Sequence, residues 1–161
     1  MKKFIKKLKE LSVKVYDGIG TYEERYIQTA LGIEFRKNEF EFLREFNIEV
    51  FYENFPLALN ELDFLVFANK KFDLNEHVII EVKVSAKISD ENRQQLRNYL
   101  KSAPLNNSEN LKKINTGIIV NFKKTEKSKD GVFEEIIDDE KISIEVWEIT
   151  KNKEFKQIII E

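Results

Sequence analysis

The stretch "VIIEVKV", Val78–Val84, decides how the chain is read, because it sets Glu81 and Lys83 into an otherwise aliphatic run. Read as a strand, it alternates. Val78, Ile80, Val82 and Val84 form an aliphatic face, while His77, Ile79, Glu81 and Lys83 share the other. Carboxylates and ammonium groups leave water only when paired or put to use. Upstream, "LDFLVFA" (Leu62–Ala68) carries Asp63, and a hairpin joining the two strands lays Asp63 beside Glu81. Two carboxylates and one ammonium then converge. Hard oxygen ligands of this kind suit a divalent ion, Mg²⁺ or Mn²⁺, with the carbonyl of Val82 as a further ligand. With Lys83 positioning a water or stabilising developing charge, the set suits phosphodiester hydrolysis. The same spacing also fits a plain Glu81–Lys83 ion pair on a half-exposed strand.

Composition narrows the chemistry further. The chain has 161 residues, 42% of them hydrophobic and 13 of them phenylalanine, enough for a core without disulfides, and it is expected to form one domain over residues 1–161. It has no cysteine, which excludes disulfides, thiolate metal sites and cysteine nucleophiles. With His77 as the single histidine, carboxylates are the main metal ligands available. A net charge of −2 requires any nucleic-acid surface to be a local basic patch. No window approaches a membrane span and the start lacks the apolar stretch of a signal peptide, so no membrane partner and a cytoplasmic location are expected.

Around the opening stretch, residues 1–15 read as an amphipathic helix with Phe4, Ile5, Leu8 and Leu11 inward and lysines outward. Beyond Gly18 and Gly20, Thr21 is the expected N-cap of the longest helix, with Tyr22, Tyr26, Thr29/Ala30, Ile33 and Leu43 on its recurring face and an interruption near Gly32 or Asn38. Strands are expected over Ile48–Phe55, Leu62–Ala68 and His77–Val84 as an antiparallel meander. Ser89 opens a helix with Leu96, Tyr99 and Leu100 inward, and "TGIIVNF" (Thr116–Phe122) returns as a buried strand. That strand–helix–strand step predicts a right-handed crossover, with "HVIIEVKV" and "TGIIVNF" as parallel neighbours at the sheet centre. "KKTEKSKDG" (123–131) reads as a charged loop, and residues 141–160 as a terminal hairpin. The expected class is α/β or α+β.

The motifs resemble the GxxExxY proteins of the PD-(D/E)XK nuclease superfamily. "GTYEERY" supplies Gly20, Glu23 and Tyr26, and "DFLV", "IIEVKV", "QLRNYL" and "GIIVNF" follow in the family's order across residues 18–122. Leu62 stands where the superfamily's name-giving proline would be. The resemblance implies a restriction-endonuclease-like core, a central mixed sheet flanked by helices. It also implies that Asp63 and Glu81 are metal ligands, Lys83 the catalytic lysine, Glu23 an additional acid reaching the metal or its water, and Gln95 a polar group completing the site. Each has a structural alternative: Glu23 as a helix-start acid, Gln95 as a solvated glutamine, Tyr26 and Tyr99 as core residues with polar tips, Gly20 and Gly117 as backbone necessities, and His77 as a surface residue.

The expected function is therefore a Mg²⁺- or Mn²⁺-dependent nuclease acting on DNA, with Lys87, Arg93, Arg97 and Lys101, then Lys112, Lys113, Lys123 and Lys124, as backbone-contact candidates. The alternative is a catalytically weak or inactive module of the same fold that binds nucleic acid or a protein. The terminal hairpin could also supply the edge of a homodimer.

Overall fold

Val78–Ser85 does form a strand, β3, and it lies at the centre of the sheet. The computed structural model of the protein describes residues 1–124 and 138–160. β3 pairs in parallel with β4 (Thr116–Lys123), from Val78 opposite Thr116 to Ser85 opposite Lys123. It pairs antiparallel with β2 (Phe55–Val66), and β2 in turn with β1 (Phe42–Tyr52). β5 (Ile142–Ile149) continues the sheet antiparallel to β4, and β6 (Phe155–Ile158) closes it as an edge. The result is a mixed six-stranded sheet in the order β1-β2-β3-β4-β5-β6, flanked by helices, an α+β fold of the restriction-endonuclease-like kind. The parallel central pair, the antiparallel meander and the terminal hairpin match the sequence reading.

Helices cover both faces, as a doubly buried strand pair requires. On one face α1 (Lys2–Ile19) and α2 (Glu24–Lys37) bury Phe4, Leu8, Leu11, Ile27, Leu31 and Phe35 against Phe64, Val66, Val78, Ile80 and Val82. Edge-on ring contacts stiffen it: Phe35 meets Phe64 at 5.2 Å and Phe42 at 5.6 Å, each such pair worth about 0.5–1.5 kcal/mol beyond its buried area. On the other face α3 (Asp90–Ser102) and the short α4 (Glu109–Lys112) set Leu96, Tyr99, Leu100 and Leu111 against Leu62, Leu65, Ile79 and Ile119. Ser89 caps α3 as expected, its hydroxyl accepting from Asn92 N while Asn92 Oδ1 accepts from Ser89 N. One further short helix, α5 (Asp138–Lys141), precedes β5. No helix among the described residues is long and apolar enough to cross a membrane.

Several expectations are corrected. α1 runs on to Ile19 and is longer than α2. The N-cap position of α2 is Glu23, not Thr21, and its buried stripe is Ile27, Leu31 and Phe35, while Tyr22, Tyr26 and Ile33 are 59%, 44% and 44% exposed. Tyr26 is thus no core residue. The helix ends at Lys37, and Phe42–Phe46, expected as helix, are strand. Their apolar spacing served both periods, and pairing with β2 decided between them, with Phe42 wedged against Phe35 and Phe64. β2 accordingly begins at Phe55, so the expected Ile48–Phe55 strand is divided by the turn at Glu53 and Asn54. Residues 125–131 of the expected charged loop lie outside the described residues.

β1 is an edge strand, and Asn106 closes part of it. Its Oδ1 accepts from Glu49 N at 2.9 Å and its Nδ2 donates to Glu49 O at 3.0 Å, while Ser102 Oγ accepts from Phe51 N at 3.0 Å. A side-chain amide here takes the place of a neighbouring strand's backbone.

Gly117 fixes the approach of α3 to the sheet centre. A Cβ built there would come within 2.5 Å of Leu96 Cδ1. We expect Gly117→Ala to destabilise the fold by about 1–3 kcal/mol through overpacking. Adding Leu96→Ala should recover part of that loss, which urea denaturation of the single and double variants would show.

Candidate active site

The β2–β3 ladder stops where the charges begin. Its pairs are Val66 with Val78, Leu65 with Ile79 and Phe64 with Ile80, and the next in register would be Asp63 with Glu81. There the carboxylates take over. Val82 N donates to Asp63 Oδ2 at 2.7 Å, and Asp63 N donates to Glu81 Oε1 at 3.2 Å. Each strand's loose amide is thus satisfied by the acid of the other, as a buried backbone donor requires. The strand alternation of β2 also breaks here, since Leu62 and Leu65 face one core and Phe64 and Val66 the other. Opposite, on β1, Glu45 adopts φ 52° between the paired residues Arg44 and Phe46. The strands part at this point, and Asp63 and Glu81 stand in the fork.

Glu81 is only 2% exposed and Asp63 is half-buried. Lys83 Nζ lies 3.8 Å from Glu81 Oε2, with its side chain 16% exposed. The ion pair anticipated as the plain alternative therefore exists, but inside the fork rather than on an open strand. Burial pushes the Asp63 carboxyl up to about 6 against the pull of the Val82 N–H and Lys83. Burial pushes Glu81 up to about 8, with repulsion from Asp63 adding to it and Lys83 opposing it. Two carboxyls share this fork with the Lys83 ammonium, and the Arg44 charge also acts on Asp63. One oxygen of each carboxylate, Asp63 Oδ1 and Glu81 Oε2, is left without a backbone partner.

The other expected site residues divide. Gln95 donates to Tyr99 Oη at 2.8 Å, and Tyr99, 2% exposed, lies close enough for the Glu81 charge to act on its phenol, whose pKa is raised chiefly by burial. Gln95 thus meets the site through Tyr99, beside a cleft of about 330 Å³ lined by Val50, Asn60, Gln94, Asn98 and both of these residues. Glu23 is drawn away. Its side chain, 62% exposed, pairs with Arg25 at 3.0 Å. The acid of α2 that acts on both Asp63 and Glu81 is the next residue, Glu24. Helical phase carried that signal, since Glu24 precedes Ile27, Leu31 and Phe35 by three, seven and eleven residues. His77 accepts from Ala68 N at 3.0 Å and packs on Phe67, a structural post at the start of β3.

Among the basic candidates, Arg93 is spent on Glu145, at 2.7 and 2.9 Å, and on Asp90 at 2.8 Å. Lys112 pairs with Glu109 and Lys123 with Glu140. Sequence reading missed Arg44, whose charge acts on Asp63, because its segment looked helical.

Among the described residues no three His, Cys, Asp or Glu side chains form a metal cage. The donor set that is present, one oxygen each of Asp63 and Glu81 left without a backbone partner, fits a hard divalent ion that keeps most of its waters.

The raised carboxyls make the metal-free protein pH-sensitive. A folded carboxyl that holds its proton more tightly than the unfolded one contributes full stability below the ordinary carboxyl range and loses it as pH rises to the folded value. In EDTA, the melting temperature should fall as pH rises from 4.5 toward about 8, and Glu81→Gln should flatten that fall. Equal slopes for the two proteins would contradict a buried, protonatable Glu81.

The model of the PD-(D/E)XK nuclease superfamily matches residues 2–133. Searches of curated proteins and of solved structures return no match. The match spans both carboxylates, Lys83, the sheet centre and α3, so the chain belongs to the PD-(D/E)XK nuclease superfamily.

Proposed function

We propose that the protein is a metal-dependent nuclease of the GxxExxY branch, hydrolysing DNA phosphodiester bonds in the cytoplasm. The observation that carries this reading is the fork itself, with Asp63 and Glu81 bound to each other's strands and Lys83 beside them. Buried charge of this kind destabilises a fold unless it is compensated, and a divalent ion with a phosphate would compensate it.

In this reading Asp63, Glu81 and the carbonyl of Val82 hold Mg²⁺ or Mn²⁺. Such an ion, when bound, neutralises the phosphate and makes a coordinated water more acidic. Lys83 orients the attacking water and offsets the charge growing on the phosphoryl oxygens. The water oxygen bonds to phosphorus as the bond from phosphorus to the leaving oxygen breaks, and the water's proton passes to solvent while the leaving oxygen takes one up. Glu24 faces the carboxylates, so the helix acid of the site is Glu24 rather than Glu23. Gln95 holds Tyr99 against Glu81 and keeps that wall of the site in place.

A second reading, a nuclease-like module that binds without turning over, is favoured by the Lys83–Glu81 ion pair, which already partners the site's ammonium with a carboxylate. Turnover separates the two.

Single-stranded, double-stranded and branched DNA and RNA, each with Mg²⁺, Mn²⁺ or EDTA, form the test. Cleavage of DNA should need the metal, and Glu81→Gln and Lys83→Ala should each lower kcat on the order of a hundredfold or more. Activity surviving both substitutions would place the chemistry elsewhere. Binding without cleavage by the unaltered protein would favour the second reading. Independently, Mn²⁺ should raise the melting temperature of the unaltered protein and not that of Glu81→Ala.

A further inference from the structure

Arg44 is a cation that the fold fixes without an ion-pair partner among the described residues. On β1 it stands opposite Phe64, the residue after Asp63. Its stem runs beside Gly32 of α2, where a built Cβ would lie 3.3 Å from Arg44 Cδ. Its guanidinium lies over the Phe64 ring, 5.7 Å from the centroid, and Nη1 donates to Thr29 Oγ1 at 3.3 Å. From Gly32 to Thr29 is about one helical turn toward the N-terminus of α2, the end that carries Glu24. The head group therefore points along the helix toward the carboxylate fork.

Its hydrogen bonding is incomplete. Among the described residues Nε is buried with no partner, Nη2 has none, and no carboxylate lies at ion-pair distance. Packing, not pairing, sets the orientation of this guanidinium. Arg25 pairs with Glu23 and Arg93 with Glu145, while Arg36, over the Phe42 ring, is exposed and its charge is not among those acting on Asp63 or Glu81. Arg97 also has an orphaned Nε, but it stands on α3 and its charge is not among those acting on Asp63 or Glu81.

An arginine held open within electrostatic reach of Asp63 suits a ligand with oxygens to spare. The planar fork of a guanidinium matches phosphate geometry better than an ammonium does. We propose that Arg44 binds a non-bridging oxygen of the phosphodiester received by the Asp63–Glu81 fork, a phosphate-binding role resting on the nuclease reading above. Lys83 on β3 and Arg44 on β1 then flank Asp63 on β2, one cation serving the water and the other the phosphate.

The test uses the full chain carrying Glu81→Gln, so that binding is read without cleavage, and a fluorescein-labelled DNA oligonucleotide followed by anisotropy over a range of salt. Arg44→Met, which keeps most of the stem, should weaken binding about tenfold or more and reduce the slope of log K against log salt by about 1. Arg44→Lys should restore the slope but only part of the affinity. Melting temperatures of both variants within a few degrees of the parent would confirm that packing survives, and if Arg44→Met unfolds, the partial loss in Arg44→Lys decides. Affinity and slope unchanged in a folded Arg44 variant would overturn the assignment. Metal-dependent cleavage by the unaltered protein with Arg44-independent binding would sink this inference alone. A protein that neither binds nor cleaves nucleic acid would sink it together with the nuclease reading.

Discussion

The pair of crossed hydrogen bonds between Asp63 and Glu81 is the constraint on which the rest of the structure turns. A central sheet must satisfy every backbone amide, yet a site in its interior needs the strands to part. Here the parting strands lose their ladder and each regains a partner from the other's carboxylate. The acids are thereby fixed and aligned before any ligand arrives. The same arrangement buries both carboxyls, and that burial pushes their pKa values above the usual range against the opposing pull of these bonds. Preorganisation and electrostatic need come from one arrangement.

The surrounding elements make that arrangement rigid from three directions. β4 runs parallel to β3 over its whole length and anchors the Glu81 strand. Phe35, Phe42 and Phe64 lock α2 to β1 and β2, and so fix Glu24 and Arg44 relative to Asp63. On the opposite face Leu96 presses against the bare backbone of Gly117, drawing α3 close enough to deliver Tyr99 and Gln95. A shift in any of these supports would reopen or misalign the fork, since positions in a packed interior are not freely adjustable.

Much of this was legible in the residues. Alternation in "VIIEVKV" put Glu81 and Lys83 on one face, and the crossover rule placed β3 beside β4. The acid-then-basic pattern from Ser89 defined α3 together with its cap. The misreadings share one cause. Between Tyr22 and Phe46 the apolar residues fit more than one period, which is why their spacing places Tyr26 in the core and Arg44 on a helix. Local pattern cannot choose between faces when several satisfy it.

The sequence by itself determined which strand carries the buried charges, because charged residues inside an aliphatic alternation have few stable placements. It determined as well that a carboxylate site, without thiols and with a single histidine, is the site this chain can build. Only the tertiary structure decided that Glu24 lies within electrostatic reach of both carboxyls, that Gln95 bonds Tyr99, and that Arg44 has no carboxylate partner among the described residues while Arg93 is paired with Glu145. Those outcomes depend on how separate elements rotate and dock against one another. Side chains distant in sequence then compete for the same partners, and that competition is settled by packing rather than by spacing along the chain.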